Sequence, residues 1–182
     1  TTTVDPASAL GRFVVRDALL EELPEAEAVQ AVCFREIGQG VIPNDILTEV
    51  TGPGIVHTTI EQWNRFMDDG AIFKILIDRL DMKTVGVAMA RVSTSPDAPT
   101  PWEIATLHVL PEARSCGASD DLLDACIGHQ PAYVWVFADN ARAISFYQRH
   151  GFRVDATDGA VDDSLGGVKL QRLIREDAIK SQ

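Results

Sequence analysis

The segment Leu107-His108-Val109-Leu110-Pro111-Glu112-Ala113-Arg114-Ser115-Cys116-Gly117-Ala118-Ser119 reads as a strand, a turn and a helix start. Small residues in the turn let several backbone N–H groups point at one oxygen-rich ligand, and the following helix adds the positive end of its dipole. The segment can therefore cradle a pyrophosphate. An Arg-x-x-Gly-x-Ser turn is also what a plain strand-to-helix connection looks like. A second stretch, Val134 to Phe152, runs from an apolar strand into a helix that carries Asn140, Phe146 and Tyr147 and stops at Gly151.

The elements that must position these residues follow from local pattern. Phe13 to Arg16 reads as a short strand, and Leu23-Pro24-Glu25 opens a helix with proline and acid in its first turn, running towards Arg35 or Gly38. A helical piece from Asp45 to Val50 and an amphipathic helix from Thr59 to Met67 follow, separated by the turn Thr51 to Gly54. Ala71 to Asp78 and Thr84 to Val92 are rich in β-formers and predict an antiparallel hairpin, and Ser93 to Pro101, with three prolines, predicts a loop. Strand Glu103 to Leu110, helix Ser119 to Ile127, strand Tyr133 to Phe137 and helix Asn140 to His150 come next. Strands near Phe152 to Ala156 and Val168 to Ile174 complete the pattern.

At 182 residues the chain predicts one domain over 1–182, with short polar tails at about 1–11 and 176–182. Hydrophobic residues make up 46% and charged residues 24%, a mix that can bury a core. Lys and Arg total 16 against 27 Asp and Glu, for a net charge of −11, which makes nucleic acid a poor partner. Such a surface attracts cations at long range, an amine at neutral pH among them, or it simply keeps the protein in solution. Cys33, Cys116 and Cys126 form no Cys-x-x-Cys pair and no zinc-spaced cluster, so a metal-free, reduced interior is expected. No apolar run approaches the roughly 18 residues that span a bilayer, so no membrane association is expected and the expected location is cytoplasmic.

Taken together, the two stretches resemble the GNAT superfamily of acetyl-CoA-dependent N-acetyltransferases. The first is similar to its strand followed by Arg/Gln-x-x-Gly-x-Gly/Ala, and the second to its Asn-x-x-Ala-x-x-Phe-Tyr-x-x-x-Gly-Phe helix. Phe34-Arg35-Glu36 and Gly40-Val41-Ile42-Pro43 look like the Trp-Arg … Gly-Leu-Leu-Pro segment of many bacterial members, though Gly38 stands where relatives often carry an aromatic. The resemblance implies an α/β (α+β) fold with a mixed, mostly antiparallel central sheet flanked by helices. That sheet splays between Glu103 to Leu110 and Tyr133 to Phe137, with pantetheine in the gap.

The same resemblance implies the site. Pantetheine amides would pair with the backbone around Leu107, His108 and Val109, as an added strand does. The N–H groups of the Arg114, Ser115, Cys116, Gly117, Ala118 and Ser119 segment would take the pyrophosphate, Asn140 would help to hold cofactor or acceptor, and Tyr147 would lie near the sulfur. Glu103, 114 − 103 = 11 residues before Arg114, has the placement of the catalytic glutamate of histone-type members and could take the ammonium proton. A solvated glutamate at a strand start is the alternative. A strand N–H near Leu107 would stabilise the oxyanion, a donor that typically contributes about 3 kcal/mol or more. Tyr147 could protonate the departing thiolate. The acceptor would be a small-molecule or peptide amine, and oligomeric state, homodimer included, stays open.

Other residues carry less. Strand alternation puts His108 on the face opposite Leu107 and Val109, where a packed or surface histidine is the ordinary outcome. Cys116 sits in the phosphate loop, but thiol catalysis would need a neighbouring histidine. The loop also departs from its relatives: Cys116 stands where many have Lys or Arg, Ser119 replaces Gly or Ala, and Asp120-Asp121 open the helix. These changes put negative charge where phosphates should bind and define a rival reading, a GNAT-fold binding or regulatory module with weakened or lost acetyl-CoA use.

Overall fold

Residues 9–155 and 159–177 are described in this computed structural model of the protein. The outer parts of both expected tails, 1–8 and 178–182, and the end of the strand expected at Phe152 to Ala156 lie outside these residues. Runs of Val, Ile and aromatic residues form β1 (Phe13–Asp17), β2 (Ile72–Asp78), β3 (Lys83–Val92), β4 (Trp102–Val109) and β5 (Ala132–Phe137). Shorter β6 (Arg153–Val154) and β7 (Val161–Asp162) precede β8 (Val168–Arg175). The helices are α1 (Ala9–Arg12), α2 (Leu23–Gly38), α3 (Asn44–Val50), α4 (Val56–Asp68), α5 (Ala118–Ile127) and α6 (Ala141–Arg149).

The strands form one eight-stranded sheet in the order β1-β2-β3-β4-β5-β8-β6, with β7 on β8. Among the described strands every pairing is antiparallel except β4 with β5. The hairpin expected between Ala71 and Val92 is present, paired from Ile72↔Ala90 to Asp78↔Lys83 with a register shift between Leu76 and Ile77. The two-residue β7 was not foreseen, because so short a strand carries no alternation to read.

Strand alternation gives the sheet two apolar faces. Val87 and Met89 of β3 pack with Leu23, Ala26, Val29 and Cys33 of α2 and Trp63 of α4. On the other face, Ala88 and Ala90 pack with Leu122, Leu123 and Cys126 of α5 and Tyr147 of α6. A smaller cluster at the end of α2 joins Ile42, Leu47, Phe137 and Val168. Ion pairs staple the β1 edge: Arg12 reaches Asp78 at 2.8 Å and Lys74 reaches Asp17 at 2.6 Å.

The helices next to the fourth and fifth strands are held by one guanidinium. Arg175, 3% exposed, donates to the carbonyls of Gly128, Gln130 and His150 at 2.7 to 3.1 Å. It thereby ties the end of α5 to the end of α6. Contact between α5 and the sheet is close at Gly86, where an added Cβ would meet Leu76 Cβ at 2.9 Å and Leu122 Cδ2 at 3.3 Å. Gly86→Ala is therefore expected to destabilise the fold by about 1–3 kcal/mol through overpacking. Urea unfolding should show a lower midpoint at unchanged slope, and an unchanged midpoint would show that α5 can shift without cost.

Candidate active site

The one parallel pairing is short. Trp102↔Ala132, Glu103↔Tyr133 and Ile104↔Val134 are in register, and beyond them β4 and β5 have no mutual pairing. Ala105 lies at the parting: Met89 opposes Thr106 and Ala90 opposes Ile104, so Ala105 is the extra residue of a β-bulge, which bends its strand. The facing edges after Ile104 and Val134 therefore lack cross-strand partners. A cavity of about 690 Å³ fills the wedge, within the range usual for ligand pockets.

At the open end of the wedge the chain builds an anion cradle. Ser115 and Gly117 are both left-handed, with φ of 60° and 87°, so successive peptide groups turn their N–H groups towards one side. Gly117 is the N-cap of α5 and has no side chain to cap it, which leaves the first helical N–H groups to an outside acceptor. Ser115, Gly117 and Ser119 line the cavity. Cys116 and Ala118, expected in the same role, do not: the Cys116 thiol turns back to donate to the Ala113 carbonyl at 3.3 Å, and Ala118 is buried against the core. The contribution expected of these two is a backbone N–H group, which needs no side chain in the cavity.

Arg114 lines the cavity but its guanidinium is engaged. It forms a two-pronged pair with Glu36 of α2, at 2.9 Å on each oxygen, and its Nε donates to the Val109 carbonyl at 2.8 Å. Arg142 of α6 reaches the same carboxylate at 3.5 Å. Glu36 thus spans the mouth of the wedge, linking the loop after β4 to the helix after β5. Hydrogen bonds from Arg114 hold the Glu36 carboxyl below the usual carboxylate range. The acids that open α5 divide: Asp120 lines the cavity and sits 2.7 Å from His150 Nε2, whereas Asp121 is exposed and away from it.

α6 supplies the fourth side. Asn140 caps it, accepting from the Ala143 N–H at 3.1 Å, which leaves its amide N–H groups and one oxygen lone pair for a ligand. Tyr147 lines the cavity yet is 4% exposed, edge-on to Phe146 and Phe152. Burial pushes its phenol well above the ordinary value, with Cys126 adding to the effect. Arg149 also lines the cavity and forms no ion pair among the described residues.

Of the two residues expected to act in catalysis, Tyr147 reaches the cavity and Glu103 does not. Glu103 precedes the bulge and is still within the paired segment, at the closed end of the wedge. Its Oε2 accepts from Arg91 at 3.2 Å and from the Tyr133 hydroxyl at 3.3 Å, and that hydroxyl also lies 2.5 Å from Ser93 Oγ. His108 alternates away from Leu107 and Val109 but still lines the cavity, because the wedge is open on both faces of the sheet. Burial, with Arg114 adding to it, lowers its imidazole to about 4. Sequence reasoning missed Cys33, Phe34 and Ile37 of α2, Trp135, and the two arginines of α6 as lining residues. Both arginines stand in the Asn-x-x-Ala helix seven residues apart, so helical spacing puts them on one face and could have paired them.

The acetyltransferase (GNAT) family profile matches residues 45–152, more than half of the chain. The chain belongs to the GNAT acetyltransferase family. No curated protein matches the sequence significantly. Among solved structures, the GNAT chain is similar to YncA of Salmonella typhimurium with its cofactor acetyl-CoA, at 17% identity and a TM-score of 0.66 over 93% of this chain and 97% of that one. It is also similar to a phosphinothricin acetyltransferase from Sinorhizobium meliloti in complex with acetyl-CoA, at 16% identity, a TM-score of 0.62 and coverage of 92% and 89%. A third is the PaiA N-acetyltransferase of Thermoplasma acidophilum in complex with coenzyme A, at 16%, 0.62, 88% and 97%. At such identities the likeness shows the GNAT fold, with its mostly antiparallel open sheet. No helix among the described residues is long and apolar enough to cross a membrane.

The half-buried imidazole makes a prediction for stability. Above pH 6.5 His108 is neutral in both folded and unfolded chains. Between 6.5 and about 4 the unfolded chain takes up a proton that the folded one excludes, so the fold loses stability as pH falls, by up to roughly 3 kcal/mol. His108→Gln should abolish this loss. Urea unfolding of both proteins from pH 7 to 4.5 should show the variant gaining on the wild type as pH drops, and a constant difference would mean that the folded imidazole titrates normally.

Proposed function

We propose that the protein is an acetyl-CoA-dependent N-acetyltransferase that acts on an amine of a small molecule or peptide. The observation that carries this reading is the parting of β4 from β5 in line with the uncapped start of α5. The edges Ala105 to Val109 and Val134 to Phe137 offer N–H and C=O groups that suit the amides of pantetheine. The cradle at Ser115, Gly117 and Ser119 suits the diphosphate. Arg142 and Arg149 on α6 supply the positive charge that the loop lacks at Cys116, which favours the enzyme over a module that has lost acetyl-CoA use. YncA and the phosphinothricin acetyltransferase carry acetyl-CoA in the same fold, which supports the assignment.

When bound, acetyl-CoA supplies an acyl thioester with an electrophilic carbon and a sulfur leaving group. Around it, an unpaired N–H near Leu107 stabilises the developing oxyanion. Tyr147, protonated at neutral pH as any phenol is and more firmly so for its burial, donates towards the sulfur. Glu103, held by Arg91 and Tyr133, fixes the closed end of the wedge and does not receive the amine proton directly. The thiols of Cys33, Cys116 and Cys126 are free, which fits a reducing compartment, and we place the reaction in the cytoplasm.

Calorimetric titration with acetyl-CoA, together with thiol release on a panel of amines, tests the reading; absence of binding would sink it. Tyr147→Phe is expected to lower kcat by roughly 10²-fold while acetyl-CoA affinity changes little, because the ring and its packing remain. Equal turnover of the two proteins would remove Tyr147 from the chemistry.

A further inference from the structure

The net charge of −11 suggests a cationic acceptor, but the cavity has the opposite character. Arg114, Arg142 and Arg149 all line it, and Asp120, beside His150 at the cradle end, is the one carboxylate that does so among the described residues. Glu103, the acid that would neutralise an ammonium on the α2 side, is taken up by Arg91 and Tyr133 outside the cavity. On the α2 side the walls are aromatic: Phe34 stands edge-on to Phe137 at 5.7 Å, and Trp135 lies next but one along β5. These rings do not form a cage for a cation, because the Arg172 guanidinium already lies 5.5 Å from the centroid of Trp135.

We infer that the acceptor is a weakly basic aromatic amine, an arylamine, that enters the aromatic α2 side of the wedge uncharged. This rests on the donor reading above. An alkylammonium, with a pKa near the roughly 10.4 of lysine, would have to shed its proton beside three guanidinium groups, with Glu36 and Glu103 already paired to arginines and Asp120 set apart at the cradle end beside His150. An arylamine has no such proton at neutral pH, and its ring matches the walls.

His108 is the base that fits this acceptor. It lines the same cavity on the α2 face of β4, and its imidazole is neutral at physiological pH. The balance of the step is simple. The nitrogen lone pair forms the C–N bond at the thioester carbon, and the C–S bond breaks with its electron pair on sulfur. The nitrogen proton passes to His108, the sulfur takes the Tyr147 hydroxyl proton, and transfer of the proton from His108 to Tyr147 through water restores both groups. The products are an N-aryl acetamide and free coenzyme A.

Matched pairs separate basicity from shape: aniline against cyclohexylamine, and 4-methoxyaniline against 4-methoxybenzylamine, with spermidine as a polycationic control. Thiol release at pH 7.5 should give kcat/KM at least about tenfold higher for each arylamine than for its alkyl partner, and least for spermidine. His108→Gln should lower kcat for the arylamines at least about tenfold with acetyl-CoA binding by calorimetry unchanged. An alkylamine or spermidine used as well as its arylamine counterpart overturns the acceptor assignment, as does acetyl-CoA binding with no arylamine turnover. Both of these leave the donor site standing. Failure to bind acetyl-CoA at all would instead overturn the donor reading, and the acceptor assignment with it.

Discussion

Three residue pairs of parallel ladder hold β4 to β5, and the structure around the cavity depends on the ladder stopping there. Parallel strands cannot be joined by a hairpin, so the chain must cross over between them, and here the crossover is α5. Because that helix starts beside the end of β4, its free N–H groups fall at the open end of the wedge. Because β5 runs parallel to β4, the helix that follows it, α6, starts at the same end. Cradle, cap residue Asn140 and phenol of Tyr147 are thus brought together by one topological choice. The bulge at Ala105 then bends β4 away from its neighbour.

Charge is arranged against the character of the whole molecule. The protein is strongly acidic, yet among the described residues three of the four charged side chains that line the wedge are arginines. Glu36 holds two of them from across the gap, so the guanidinium groups are fixed in place before any anion arrives. His108 is left neutral chiefly by desolvation, and the same positive field adds to this through Arg114.

The local parts of this design are legible in the sequence. Gly117 at a helix start, Asn140 three residues before Ala143 and the apolar run of β5 each act within a few residues, so their types and spacing reveal them. The eleven-residue spacing of Glu103 from Arg114 is legible too, but what decides its place is not. Arg91 and Tyr133 come from β3 and β5, and which side of the bulge Glu103 falls on depends on the register of β3 with β4. The lining supplied by Cys33, Phe34 and Ile37 is hidden for a similar reason: helical periodicity says that they face inward, not which strands they meet. His108 obeys the alternation rule, and only the opening of both faces of the sheet makes it part of the cavity.

Arg175 has a mechanical consequence. Its guanidinium joins the ends of α5 and α6, and His150, whose carbonyl it holds, grips Asp120 through its own ring. The two crossover helices therefore behave as one plate clamped at two points. A wedge with one stiff wall changes width by movement of the other, so any breathing of the cavity is borne by α2 and the grip of Glu36. The half of the chain that carries neither the phosphate loop nor the Asn-x-x-Ala helix is then the half that sets the aperture.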